Sequence, residues 1–547
     1  MSRPWTKTYG PNVPHEIDAD AYPSVTALFA EAVAKYADLQ AFQCFGRSMT
    51  YAEIDRASRA VAAWLQQKLG LKRGDRVALM VPNTFAFPVA MFGIHRAGGV
   101  QVNVNPLYTP HELEHQLNDA GAEIIIVFGG STPTLAEIVA NTPIRTVIVA
   151  NLGDGAGLTI PSPAPDPRLT NVIRLADVLT EGATLPLEPV DLTGDDTLFF
   201  QYTGGTTGLS KAAVLSHRNL VANTEQFKAF MPEALEPGRE VIVLALPLYH
   251  IFGLMVMIAY LATGAKCILI PNPRDMDSFI GTIKDAKFSV IPGVNTLFQG
   301  LAAHPGFKDV DLSRYKVAIG GGAAVIKATS EKWKALTGHH IKEGYGLSET
   351  SPVLCVNPMA VTEFTETCGL PVPSTEIKLI DLEENEVREG EAGEICARGP
   401  QVMAGYWNNA EANRSAFTKD GFFKTGDIGV LTAGGFVKIV DRKKDMVIVS
   451  GFNVYPNEVE AVISGCRGVA ECACIGLPDP KTGEALRVYV VKAPFAEVSV
   501  DDVVAHCRKE LAPYKVPRQV HFIEELPKSN VGKILRRELR QAALAQN

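Results

Sequence analysis

Short runs that are apolar at every position recur along this chain and alternate with stretches whose apolar residues repeat at helical spacing. "EIIIVF" at 123–128 and "RTVIVA" at 145–150 lack polar alternation, so the strands they predict are buried on both faces. "DRVALMVP" at 75–82 leads into the helical "PVAMFGIHRAG". Strands buried on both faces need helices above and below them, which points to an α/β architecture with parallel strands. Residues 50–69 supply one such helix. It opens with a capping box of Thr50 and Glu53 and carries Ile54, Val61, Trp64 and Leu65 at helical spacing.

A second α/β stretch runs from about residue 195 to about 357, after a Gly- and Pro-rich segment at 153–169 that reads as an exposed loop. "STEIKLI", "GEICARG" and "GGFVKIVDRKKDMVIVSG" then predict a small antiparallel unit. The tail alternates again, with "NEVEAVISG" helical, "RVYVVKA" extended and "VDDVVAHCRKEL" helical, as a separate small domain. At 547 residues the chain has room for about three or four folding units.

A net charge of −8 gives no basic field for nucleic acid. Nine cysteines, an odd number with no CxxC pair, argue against a structural zinc site and for buried thiols in a reducing cytosol. The opening residues carry no apolar signal-peptide core. The most apolar stretch, 251–265, is shorter than the ~20 residues of a membrane span, so a core helix is expected there. A partly exposed apolar surface is the lesser alternative.

One of the buried strands ends in "YTGGTTGLSK". Gly204, Gly205 and Gly208 lack Cβ atoms and can turn their N–H groups toward one point, which makes an anion site. Thr203, Thr206 and Thr207 add hydroxyls, and Lys211 adds a charge. Phosphate is the natural guest, although the loop is neither a Walker A sequence nor a GxGxxG fingerprint. "KVAIGGGAAV" and "HHIKEGYGLSET" repeat the pattern of a strand running into glycines. Ligands of open α/β sheets bind at the carboxyl ends of strands, where such loops could converge. Tyr345 offers an aromatic face for a base and Glu349 a hard oxygen for Mg2+. Taken singly, Tyr345 also reads as a packed core tyrosine and Glu349 as a helix N-terminal charge.

Together with "FKTGDIG", "DRKKDMVIVSGFNVYPNEVE" and "PKSNVGKILRREL", these stretches resemble the ordered signature set of the adenylate-forming enzymes. That superfamily holds acyl-CoA synthetases, luciferases and the adenylation domains of peptide synthetases. The likeness runs from about residue 25 to the end, and its wording is most similar to bacterial long-chain fatty acid–CoA ligases. It implies a large N-terminal domain, 1–440, of two α/β sheet subdomains plus a small β-barrel-like subdomain. A small mobile α+β C-terminal domain, 441–547, would follow a hinge near Lys444.

Carried over by residue, the resemblance gives the ATP phosphates to Thr203, Gly204, Gly205, Thr206, Thr207, Gly208 and Lys211, with Thr206 and Glu349 serving Mg2+. Gly321, Gly322, Ala323, Gly344, Tyr345 and Gly346 would line the adenine and acyl pocket. Asp427 would accept the ribose hydroxyls, with Arg442 in support. Lys533 matches the mobile catalytic lysine, His250 a residue beside the acyl carboxylate, and Ser450 and Gly451 a turn approaching the CoA thiol. Alone, Lys533 reads as part of a solvated basic face, Asp427 as a turn residue and His250 as a packed histidine. Ala212 stands where the family usually has glycine, and Leu254 where some relatives have an aromatic gate.

The implied reaction activates a medium- to long-chain fatty acid with ATP and passes the acyl group to CoA. The alternative is an acyl-AMP ligase that loads a carrier protein. A silent fatty-acid or nucleotide sensor is a third reading, disfavoured because Lys533 and Glu349 are both present. Partners would be the fatty acid, ATP and CoA, with no nucleic acid. A cytoplasmic location, peripheral contact with the inner face of the membrane and a homodimer are all compatible with this.

Overall fold

The structure is a computed structural model and describes residues 3–203, 210–450, 452–528 and 534–545. The chain divides into two compact units, one of Met1–Glu376 with Arg398–Phe417, the other of Ile377–Ala397 with Thr418–Asn547. The resemblance places the small antiparallel sheet in the N-terminal domain, 1–440. In the structure most of that sheet groups with the C-terminal residues.

The first unit contains two sheets. A seven-stranded sheet runs in the order Ile173–Arg174, Thr146–Ala150, Ile124–Phe128, Arg76–Met80, Val100–Asn103, Thr197–Thr203, Lys211–Ser216. All its neighbours pair in parallel except the last two strands. A nine-stranded sheet runs Leu370–Pro371, Val353–Val356, Lys342–Gly346, Val317–Gly320, Val290–Gly293, Val241–Leu244, Lys266–Leu269, Gln40–Cys44, Arg47–Thr50. The sequence predicts two successive α/β stretches, but the sheets exchange strands. Gln40–Cys44 pairs with the distant Lys266–Leu269, and Thr197–Thr203 pairs with Val100–Asn103. Each apolar run satisfies its burial against any parallel neighbour, so pattern alone cannot fix which sheet it joins.

Local chemistry sets the helices. The helix Tyr51–Leu69 begins at the predicted capping box, with Glu53 N–H donating to Thr50 Oγ1 and Thr50 N–H to Glu53 Oε2. Gly70 closes it in the left-handed conformation. Its apolar stripe packs on the helices Ala86–Arg96 and Leu175–Gly182. The expected core helix is Ile251–Ala262, buried from Gly253 to Leu261. That burial sets aside an exposed apolar surface there. Among the described residues no helix is long and apolar enough to cross a membrane. All nine cysteines are buried, and none forms a disulfide.

The second unit contains most of an antiparallel sheet, Glu376–Ile380, Gly393–Arg398, Phe423–Leu431, Val437–Arg442. It also holds a five-stranded sheet centred on the long hairpin Val469–Asp479 and Gly483–Lys492. The helices Pro456–Ser464 and Val500–Glu510 bury Val459, Ile463, Val503 and Cys507 in that sheet's core.

Candidate active site

The strands on either side of the Gly/Thr loop are described; the loop itself is only partly so. Thr203 ends one strand and pairs directly with Lys211, which begins the next. His115 Nε2 lies 2.9 Å from Ser210 O at the far side. Gly204, Gly205, Thr206, Thr207 and Gly208 lie outside the described residues, as do Gly451 and Lys533.

The other two glycine loops come from the nine-stranded sheet. Val317–Gly320 and Lys342–Gly346 are parallel neighbours, with Gly320 opposite Glu343, so Gly321–Ala323 and Gly344–Gly346 lie at adjacent strand ends. A Cβ on Gly321 would stand 2.9 Å from the Phe252 ring and 3.5 Å from Gly344 O. Both loops therefore approach the helix that begins after His250. A Cβ on Gly346 would meet Pro352 O at 1.8 Å, so no other residue fits that backbone. Tyr345 is buried and pairs with Cys355 across the antiparallel strand.

His250 is the N-cap of Ile251–Ala262, and its Nδ1 accepts from Phe252 N–H at 3.3 Å. A neutral imidazole that accepts at Nδ1 carries its proton on Nε2, which makes Nε2–H a donor. The segment leading to His250 is tied to the other sheet by buried amides. Asn83 Nδ2 donates to Leu244 O and Leu246 O, and Leu248 N–H donates to Asn83 Oδ1. Gln201, two residues before the Gly/Thr loop, donates to Tyr249 O at 3.3 Å and accepts from Asn103 Nδ2 at 2.9 Å. This network gives the two loop systems a common foundation.

Glu349 sits in the turn Ser348–Thr350, which packs on the strands flanking the Gly/Thr loop. Its carboxylate is buried, and Oε1 accepts from Tyr406 Oη at 2.8 Å. Burial first, and then the Glu349 carboxylate, push the Tyr406 phenol well above its ordinary ionisation, so it remains an O–H donor. Among the described residues no group of three or more His, Cys, Asp and Glu side chains forms a metal cage. Mg2+ is commonly held by one or two carboxylates with substrate phosphates and water, and the single hard donor Glu349 fits that arrangement.

Glu343, just before the tyrosine loop, is buried, and its Oε2 accepts from Val325 N–H at 3.0 Å. This bond joins the strand of one glycine loop to the residue that follows the other. Burial pushes the Glu343 carboxyl up to about 8.

In the second unit Asp427 and Arg442 are cross-strand partners, with Arg442 Nε 2.7 Å from Asp427 Oδ1. Asp427 is 2% exposed, so the guanidinium holds a buried carboxylate in one orientation. Lys444 is exposed in the turn after Val437–Arg442. Ser450 has a left-handed φ of 52° and donates its N–H to Thr482 O.

Pattern reading missed Tyr406, Glu343 and the amides Asn103 and Gln201. Tyr406 meets Glu349 across 57 positions of sequence, a contact no periodicity encodes.

The residues matched by known families cover most of these positions. A family described as AMP-binding enzyme matches residues 29–407, and one described as AMP-binding enzyme C-terminal domain matches 458–533. The chain belongs to the AMP-binding enzyme family. It is 47% identical over 555 residues to a long-chain-fatty-acid–CoA ligase of Salmonella typhimurium, covering 99% of each chain. The crystal structure of the anthranilate CoA ligase AuaEII with anthranoyl-AMP superposes with a TM-score of 0.86 at 26% identity, covering 97% of this chain and 99% of that one. ATP-bound MatB from Rhodopseudomonas palustris gives 0.82 at 31% identity, covering 95% and 99%.

Proposed function

We propose that this chain is an ATP-dependent ligase joining a medium- to long-chain fatty acid to CoA through an acyl-adenylate. The observation that carries the reading is the 47% identity, across 99% of both chains, to a long-chain-fatty-acid–CoA ligase. The site in the first unit agrees with it in chemistry, since strand-end glycines, Lys211 and a buried carboxylate suit a nucleotide triphosphate.

In the first half-reaction a carboxylate oxygen bonds to the α-phosphorus of ATP, and the bond from that phosphorus to pyrophosphate breaks. Negative charges meet in this step, so cations and oriented N–H donors stabilise its transition state. Lys533 and Lys211 supply the charge, and residues 203–208 the N–H and hydroxyl donors. Glu349 and Thr206 would hold Mg2+, which neutralises phosphate charge when bound. Tyr345 stacks on the base, Gly321, Gly322, Ala323, Gly344 and Gly346 line the base and acyl pocket, Asp427 accepts the ribose hydroxyls, and Arg442 keeps Asp427 oriented. His250 presents Nε2–H to the acyl carboxylate.

In the second half-reaction the CoA thiolate attacks the acyl carbon, the bond to AMP breaks, and thioester and AMP leave. One arrangement cannot easily serve both steps. Residues 441–547 therefore turn about Lys444, removing Lys533 and bringing Ser450 and Gly451 toward the thiol. A substrate that dissolves in lipid favours a cytoplasmic enzyme in peripheral contact with the inner face of the membrane.

Pyrophosphate release across acids of increasing length, with and without CoA, tests this reading. Release that depends on a fatty acid, with acyl-CoA and AMP formed only when CoA is present, is expected. Thioester formed on a loaded carrier protein but not on CoA would replace it with the carrier-loading alternative, and no release with any acid would overturn it.

A further inference from the structure

Residues 403–407 lie along the strand Lys211–Ser216 as a short added edge. Val214 N–H donates to Gly405 O at 3.1 Å, Trp407 N–H to Ala212 O at 2.9 Å, and Ala213 bridges to Tyr406. The same segment grips the Glu349 turn, since Met403 N–H donates to Glu349 O at 2.8 Å.

Its backbone is fixed at successive residues. Tyr406 N–H donates to Asn413 Oδ1 at 2.7 Å, and Asn413 Nδ2 returns a bond to Tyr406 O at 2.9 Å. Trp407 Nε1 donates to Asp119 O, and the ring packs 4.8 Å from that of Phe200. Asp119 in turn accepts from Tyr202 Oη at 2.6 Å, on the strand that enters the Gly/Thr loop. Held this way, Tyr406 puts its hydroxyl 2.8 Å from Glu349 Oε1, while Lys211 Nζ lies 5.5 Å from the centre of its ring. One side chain thus touches both the carboxylate and the cation that border the phosphate loop, the first by a charge-assisted hydrogen bond and the second by a cation–π contact.

We propose that Tyr406 is a positioning residue, whose hydroxyl holds the Glu349 carboxylate in the orientation that receives a divalent cation accompanying ATP. The inference rests on the role given to Glu349 above. Tyr406 touches no substrate in it and acts through Glu349. Partners that orient a metal-binding carboxylate typically matter by about 10–100-fold in metal affinity.

The test measures Mn2+ retained by the full-length protein, by electron paramagnetic resonance, with a non-hydrolysable ATP analogue present. Tyr406→Phe deletes the hydroxyl and keeps the ring under Lys211, so the fold is preserved. It should weaken Mn2+ binding about 10-fold or more. In a Glu349→Ala background the same change should add nothing, because its effect runs through that carboxylate. Mn2+ binding by Tyr406→Phe within about twofold of the parent, while Glu349→Ala weakens it well beyond that, overturns this inference and leaves the role of Glu349 standing. A full second loss in the Glu349→Ala background also overturns it. Unaltered Mn2+ binding by Glu349→Ala alone removes the metal assignment, and this inference with it.

Discussion

Lys533 is the residue on which the two half-reactions should separate. Lys533→Ala is expected to lose adenylate formation by several orders of magnitude, while preformed acyl-adenylate and CoA still yield thioester at near the parent rate. Measuring each half-reaction alone checks this, and equal loss of both would contradict it. Glu343 gives a pH prediction. Its folded carboxyl titrates at about 8 against 4.5 in the unfolded chain, so the folded state keeps a proton that the unfolded chain releases. The stability from this group is present below about 4.5 and is lost as pH rises to about 8, at up to ~1.4 kcal/mol per unit. The buried His95 and His217 are depressed by desolvation and act in the opposite sense, but only below their ordinary value of 6.5. Between about pH 6.5 and about pH 8 the parent's urea midpoint should therefore fall, and Glu343→Gln should flatten that fall. An identical slope in the variant would contradict this origin.

At the scale of elements, much was legible because the signals are local. The Thr50–Glu53 capping box marks the start of its helix, and the runs at 123–128 and 145–150 are strands within a residue of expectation. The apolar 251–265 stretch becomes a buried helix for the reason its length predicts. Illegible were the contacts between elements, such as Asn103 with Gln201 or Tyr406 with Glu349, because hydrogen bonds between distant residues leave no period in the sequence. The glycines of "EGYGLSET" were visible as glycines, yet the reason for Gly346 is the Pro352 carbonyl that its Cα faces. Gly346→Ala must move that backbone. It should destabilise the unit by roughly 1–3 kcal/mol and raise the KM for ATP by displacing Tyr345, with less effect on the KM for CoA. Unchanged melting and ATP kinetics would show that the close approach is unimportant.

For the whole molecule, the α/β class followed from burial on both faces of the strands, while the partition of strands between sheets did not. Gln40–Cys44 crosses to the sheet of Lys266–Leu269 although it precedes every strand of the other sheet. The chemistry assigned to the molecule depends on direct bonding of a carboxylate oxygen to the α-phosphorus of ATP, and the most direct measurement follows that oxygen. With a fatty acid labelled with 18O in its carboxyl group, thiolysis of the adenylate leaves one labelled oxygen on phosphorus. AMP carrying one 18O and unlabelled pyrophosphate are expected when acyl-CoA is formed; unlabelled AMP, or label in ADP or inorganic phosphate, would overturn that chemistry.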